Sequence, residues 1–154
     1  MHRDIKPDNI GVSGNSEQTL KYILLDFGHA TRESSSKDHE KGTIRYLAPE
    51  VMALKNRQST IPYDFRVDIW ALGVTALELS EDFRVRDYDS AVDSAELVHR
   101  RQLDRVWRDE QDQDLAGILD TMLQAAPQRR TTMRSLSDLA QAAWRKNAAY
   151  RATA

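Results

Sequence analysis

A chain of 154 residues that is 40% hydrophobic and 30% charged has the profile of one globular domain, not of a disordered segment. Its formal charge of −2 gives no general attraction to nucleic acid or to an anionic membrane, and the absence of cysteine excludes a disulfide framework and thiolate metal sites. The longest apolar stretch, Ile69 to Leu79, is too short to span a bilayer and is broken by Gly73, Thr75 and Glu78, while the N-terminus is charged and polar from His2 onward with no signal-peptide pattern. The expectation is an intracellular protein with no nucleic-acid or membrane partner; nothing separates cytoplasm from nucleus.

The chain opens on His2-Arg3-Asp4-Ile5-Lys6-Pro7-Asp8-Asn9, a compact set for phosphate and metal chemistry. Asp4 can accept a hydroxyl proton, Lys6 can neutralise a phosphoryl oxygen, and Asn9 can offer a carbonyl oxygen to Mg²⁺. Pro7 stiffens the loop that carries them. The order is H-R-D-x-x-x-x-N. Asn9 to Val12 then reads as a short strand ending at the turn signals Gly14-Asn15, and Tyr22 to Leu25 as a second. The second ends at Asp26-Phe27-Gly28, where Asp26 offers another oxygen to a hard cation and Gly28 permits a backbone swing. By itself this tripeptide could be an ordinary turn; its distance of one hairpin from Asn9 makes it specific.

Thr31 to Lys41 is polar without apolar periodicity, which reads as a loop, either a solvated linker or a regulatory segment. Gly42-Thr43 and Tyr46-Leu47-Ala48-Pro49-Glu50 follow. Pro49 suits the first position of a short helix through Leu54. After a polar loop from Lys55 to Ile61, a helical pattern begins at Tyr63. Val67, Ile69, Trp70, Leu72, Val74, Leu77 and Leu79 cover most of its circumference, so this helix should be buried. Asp68, near its start, could cap the first turn.

Asp82 to Asp89 reads as a charged link to a helix somewhere within Ala91 to Trp107. Leu115, Ile118, Leu119, Met122 and Leu123 form an amphipathic stripe ended by Pro127, and Leu136, Leu139, Ala140, Ala143 and Trp144 form another. The domain is expected over residues 1–147, with a polar, frayed tail at 148–154. His29, His39 and His99 have no metal-ligand spacing and read as incidental.

Five motifs stand in one order: His2 to Asn9, Asp26-Phe27-Gly28, Gly42 to Glu50, Asp68-Ile69-Trp70-Ala71-Leu72-Gly73, and Pro127-Gln128-Arg129-Arg130-Thr131. In that order they resemble the eukaryotic protein kinases of the Ser/Thr type, over nearly the whole chain. The resemblance implies a mainly α fold, the kinase C-lobe, with a short β-hairpin carrying the catalytic and Asp-Phe-Gly loops and with the N-lobe absent. It implies that Asp4 takes the proton of a serine or threonine on a protein substrate and that Lys6 stabilises the phosphoryl group coming from ATP. Asn9 and Asp26 would hold Mg²⁺. Thr43 would support Asp4 and Lys6, and with Lys6 it favours Ser/Thr over tyrosine specificity. His2 would pack on the segment of Phe27 and Gly28, Asp68 would hold the catalytic-loop backbone, and Arg130 would pair with Glu50. Arg3 would bind an anionic group of the 31–41 loop. That group is either a phosphate on Ser34, Ser35 or Ser36, or a carboxylate of Asp38 or Glu40; the lack of a hydroxyl just before Gly42 favours the carboxylates.

The sequence has no G-x-G-x-x-G run, and by the resemblance it also lacks the lysine and glutamate for the α/β-phosphates, the adenine hinge and the helix that normally packs beside the central one. The favoured expectation is the C-terminal part of a Ser/Thr kinase cut short by a truncated gene model, with Met1 an internal methionine. A non-catalytic binding module and a decayed pseudokinase fragment are the alternatives; the intact Asp4, Lys6, Asn9 and Asp26 weigh against both. Alone, the chain is expected to be inactive, with part of its central helix uncovered and a tendency to aggregate.

Overall fold

The structure describes residues 1–16, 19–80, 103–104 and 113–153, the side chains of residues 147–153 excepted. In this computed structural model the first loop passes through a 3-10 turn, Pro7–Asn9, into an antiparallel hairpin of β1 (Ile10–Ser13) and β2 (Lys21–Leu24), in the register Ile10↔Leu24 and Val12↔Tyr22. Four helices follow among the described residues: α1 (Pro49–Lys55), α2 (Arg66–Ser80), α3 (Gln113–Met122) and α4 (Met133–Thr153). Two-residue strands β3 (Ser35–Ser36) and β4 (Tyr63–Asp64) make a second small sheet. The fold is mainly α with one hairpin bearing the loops, the class the resemblance implied.

A helix without a polar side must be surrounded, and α2 is. Ile69, Trp70, Val74, Thr75 and Leu77 are fully buried, and Val67 and Ala71 are nearly so. α1 packs Val51 and Leu54 into the same core as Val67 and Trp70, and α3 adds Ala116 and Leu119. Gly73 lets α3 come close: a Cβ there would lie 3.0 Å from both Leu123 Cδ2 and Met122 Cβ. α4 closes the far side with Leu136 against Ile69 and Met122.

Several boundaries differ from the sequence expectation. β1 starts at Ile10 because Asn9 belongs to the 3-10 turn. The helical pattern from Tyr63 becomes a helix only at Arg66, since Tyr63 and Asp64 pair with Ser36 and Ser35. The same pairing pins down part of the segment read as a loop. α4 keeps a helical backbone to Thr153, through the stretch expected to be a tail. The charged link at 82–89 lies outside the described residues. Of the helix expected within 91–107 only residues 103 and 104 are described; they are helical, and Leu103 is buried in the core. Among the described residues, exposed apolar side chains gather on the hairpin and the turn after it, where Val12, Tyr22 and Phe27 are 61%, 71% and 63% exposed, while Leu79 is the exposed large apolar residue of α2. Among the described residues, no helix is long and apolar enough to cross a membrane.

Candidate active site

The loop that begins the chain turns sharply at Arg3, which has a φ of 70°, a left-handed conformation costly for a residue with a Cβ. Asp68 holds it there. Its two carboxylate oxygens accept the backbone N–H groups of His2 at 2.7 Å and Arg3 at 2.8 Å. At the first turn of α2 it is Asp64 that accepts the Arg66 N–H, at 3.0 Å. His2 is buried and its Nε2 donates to the Leu25 carbonyl at 3.0 Å, which leaves Nδ1 to accept the Asp4 N–H at 3.4 Å. Its ring meets the edge of Phe27 at 5.0 Å between centroids. Three segments are thereby tied together: the first loop, the end of β2 and the start of α2.

Asp4 is the focus of this arrangement and is 7% exposed. Its Oδ1 accepts the Thr43 N–H at 3.0 Å and the Thr43 hydroxyl at 2.8 Å. Its Oδ2 accepts from Asn9 Nδ2 at 3.1 Å and is 3.1 Å from Lys6 Nζ. Lys6 Nζ also donates to Thr43 Oγ1 at 2.9 Å, so the three side chains form a closed triangle. Burial pushes the Asp4 carboxyl up, but hydrogen bonds from Thr43 and Lys6, the Lys6 charge and the Asn9 amide outweigh it and hold the group below its ordinary value.

Asn9 donates a second N–H to the Asp4 carbonyl at 2.8 Å. Both amide hydrogens thus bond Asp4, and the carbonyl Oδ1 is the end left for a cation. The Leu25 N–H donates to the Asn9 carbonyl at 2.9 Å, which anchors the chain one residue before Asp26. Asp26 takes a left-handed φ of 54°, and its Oδ1 accepts the Gly28 N–H at 3.1 Å. No three His, Cys, Asp or Glu residues gather into a metal-holding group among the described residues. An amide oxygen and a carboxylate fit a hard cation that keeps water and phosphate oxygens, as Mg²⁺ does, better than an all-protein cage.

Farther out, Arg130 is bound by all five of its N–H donors. Nη1 and Nη2 each donate to a Glu50 oxygen at 2.7 Å, and the remaining donors reach the carbonyls of Gln124, Ala125 and Arg66 at 2.8, 3.2 and 3.1 Å. The guanidinium lies 5.0 Å from the centre of the Trp70 ring. This fastens the start of α1 to the loop after α3.

Arg3 Nη1 lies 3.4 Å from Asp38 Oδ2. Asp38 is itself held, since its carbonyl accepts the Tyr63 hydroxyl at 2.7 Å and its N–H donates to Ser36 Oγ at 3.1 Å. Glu40, the other carboxylate considered, pairs with Lys55 and His39. Four contacts had no signal in the sequence. The His29 carbonyl accepts Arg3 Nε at 2.5 Å while its Nδ1 accepts the Gly42 N–H at 3.3 Å, across 13 residues that match no spacing rule. Tyr46 donates to Glu78 at 2.5 Å, beside an Arg45–Glu78 ion pair at 3.1 Å; burial and the Glu78 carboxylate push the Tyr46 phenol up.

The family model described as "Protein kinase domain" matches residues 1–144. The chain is 33% identical over 140 residues to an Aurora kinase of Eremothecium gossypii, covering 88% of this chain and 34% of that protein. It is 42% identical over 83 residues to the serine/threonine-protein kinase KSP1 of Saccharomyces cerevisiae, covering 51% of this chain and 8% of the other. With the MAP kinase kinase mkk-4 of Caenorhabditis elegans it shares 37% identity over 101 residues, covering 64% and 25% respectively. The chain spans about a third or less of the length of these relatives. With the match over residues 1–144 and this helical architecture, the chain belongs to the protein kinase domain family.

Proposed function

We propose that this chain carries the phosphotransfer half of a Ser/Thr protein kinase, with Asp4 at the reacting hydroxyl. The observation that carries the reading is the closed triangle of Asp4, Lys6 and Thr43, with Lys6 Nζ 3.1 Å from Asp4 and 2.9 Å from Thr43. Asp4, held ionised, accepts a hydrogen bond from the serine or threonine of a protein substrate and orients its oxygen. With a lowered pKa it is a weak base before transfer, so it takes the proton as the new P–O bond forms. Lys6 stabilises charge on the phosphoryl oxygens. Thr43 keeps both groups in place, and Asn9 Oδ1 and Asp26 would hold the cation. When bound, Mg²⁺ supplies charge neutralisation on the ATP phosphates. The protein's part is positioning and electrostatics, with no covalent intermediate on a side chain.

ATP also needs a cover, and these 154 residues contain no G-x-G-x-x-G run. We place the covering N-lobe against the hairpin and the turn after it, where Val12, Tyr22, Ile23, Leu25 and Phe27 are exposed to water that disfavours them. The chain joined to a kinase N-lobe should transfer phosphate from Mg·ATP to serine and threonine peptides and not to a tyrosine peptide. By itself it should give no measurable transfer. Equal transfer to tyrosine, or loss of no activity in Lys6→Met, would sink this reading.

A further inference from the structure

Gly42 is where the segment leading to Thr43 is squeezed against the first loop. It has a φ of 93°, and a Cβ there would lie 2.5 Å from the Arg3 carbonyl oxygen and 2.9 Å from Leu47 Cδ2. Only glycine fits, and the N–H of this half-buried residue needs a partner. His29 Nδ1, 3.3 Å away, is that partner. An amide N–H can donate only to a ring nitrogen that has no hydrogen, so the ring is neutral with its proton on Nε2. The same residue's carbonyl accepts the charged Arg3 Nε at 2.5 Å. One residue therefore clips two loops, the one bearing Asp4 and the one bearing Thr43.

We infer that His29 is a positioning residue of the phosphotransfer site: its neutral ring holds the Gly42 amide so that Thr43 meets Asp4. Its consequence for catalysis rests on the kinase reading above; the clip itself does not. The link to Asp4 is short. Thr43 follows Gly42 directly, and its N–H and hydroxyl both bond Asp4 Oδ1, at 3.0 and 2.8 Å. A displaced Gly42 moves both donors together, and a shift of about 1 Å near a reacting group can cost on the order of a hundredfold in rate. Asparagine at position 29 can offer Oδ1 where the ring offers Nδ1, whereas leucine offers nothing.

The test is NMR on the full 154-residue chain with ¹⁵N-labelled histidine and glycine; six glycines keep the amide region sparse. Long-range ¹H–¹⁵N correlations from the wild-type ring should show His29 neutral and protonated at Nε2. A proton on Nδ1 overturns the proposal without any mutation. Gly42 amide exchange should stay slow in His29→Asn and quicken about fivefold or more in His29→Leu, the scale of one lost hydrogen bond. Unchanged exchange in His29→Leu, or exchange in His29→Asn as fast as in His29→Leu, also overturns it. Should His29→Leu unfold, the wild-type tautomer and the His29→Asn exchange still decide. In the chain joined to an N-lobe, His29→Leu should lower kcat far more than it raises KM for ATP, and His29→Asn should recover most of the loss. Absence of transfer even in the wild type would count against the kinase reading and leave the clip standing.

Discussion

Replacing Glu50 with glutamine strips the counter-charge from a guanidinium that has no contact with water. The Arg130 side chain is 0% exposed and that of Glu50 is 18% exposed, with two parallel bonds of 2.7 Å between them. The carbonyls of Gln124, Ala125 and Arg66 would remain as acceptors but carry no full negative charge. Breaking a buried pair from one side costs about 3–5 kcal/mol, against a total stability of about 5–15 kcal/mol for a domain. With a urea slope of about 1–2 kcal/mol per molar, the unfolding midpoint should fall by roughly 1.5–5 M. Urea unfolding of Glu50→Gln, Arg130→Met and the double variant closes the cycle. A coupling of about 2 kcal/mol or more is expected, and most of it should survive high salt because the Arg130 end of the pair is fully buried. Additivity to within about 0.5 kcal/mol would refute the reasoning.

Asp38→Asn should loosen the 31–41 segment at Arg3 and lower activity in the N-lobe-joined chain, while Glu40→Ala should not; the pair is 3.4 Å long with Asp38 38% exposed, so stability should change by no more than about 0.5 kcal/mol. Equal effects of the two variants would contradict the assignment. Asp4 titrates below its ordinary value of 3.8, so the stabilisation from its ionised form is complete above that value and is lost as pH falls through the lower folded value. An acid-unfolding series should therefore show a steeper acid limb in the wild type than in Asp4→Asn, and identical limbs would argue against it. Gly73→Ala puts a methyl 3.0 Å from Leu123 and Met122; overpacking of about 1–3 kcal/mol should outweigh the gain of about 1 kcal/mol for alanine over glycine in a helix, so the urea midpoint should fall. A neutral or stabilising result there would mean that α2 and α3 are less tightly seated than their distances indicate.

The parts legible in the sequence were those whose information is local or periodic. The spacing of Asp4, Lys6 and Asn9 sits within one loop, and the stripe of α3 and the all-apolar character of α2 follow from helical geometry. What escaped depends on partners far away in the chain. Ser35-Ser36 has no strand pattern, since two polar residues have no period to detect; only Tyr63-Asp64 makes them a strand. Asp38 was one of several possible anions for Arg3, and the choice came from Tyr63 and Ser36 holding it. His29 read as incidental because its acceptor role exists only once Gly42 arrives. Asp68 was read as a clamp on the catalytic loop only through the resemblance, since its partners, the N–H groups of His2 and Arg3, lie more than 60 residues away.

The most direct test of the central claim is single-turnover transfer of the ATP γ-phosphate to a serine peptide, by the chain joined to a kinase N-lobe, with and without Asp4→Asn. The variant should bind Mg·ATP as before and transfer about a thousandfold more slowly, the scale of a lost positioned base. Transfer within tenfold of the wild type would contradict the assignment of Asp4, however well the rest of the fold holds.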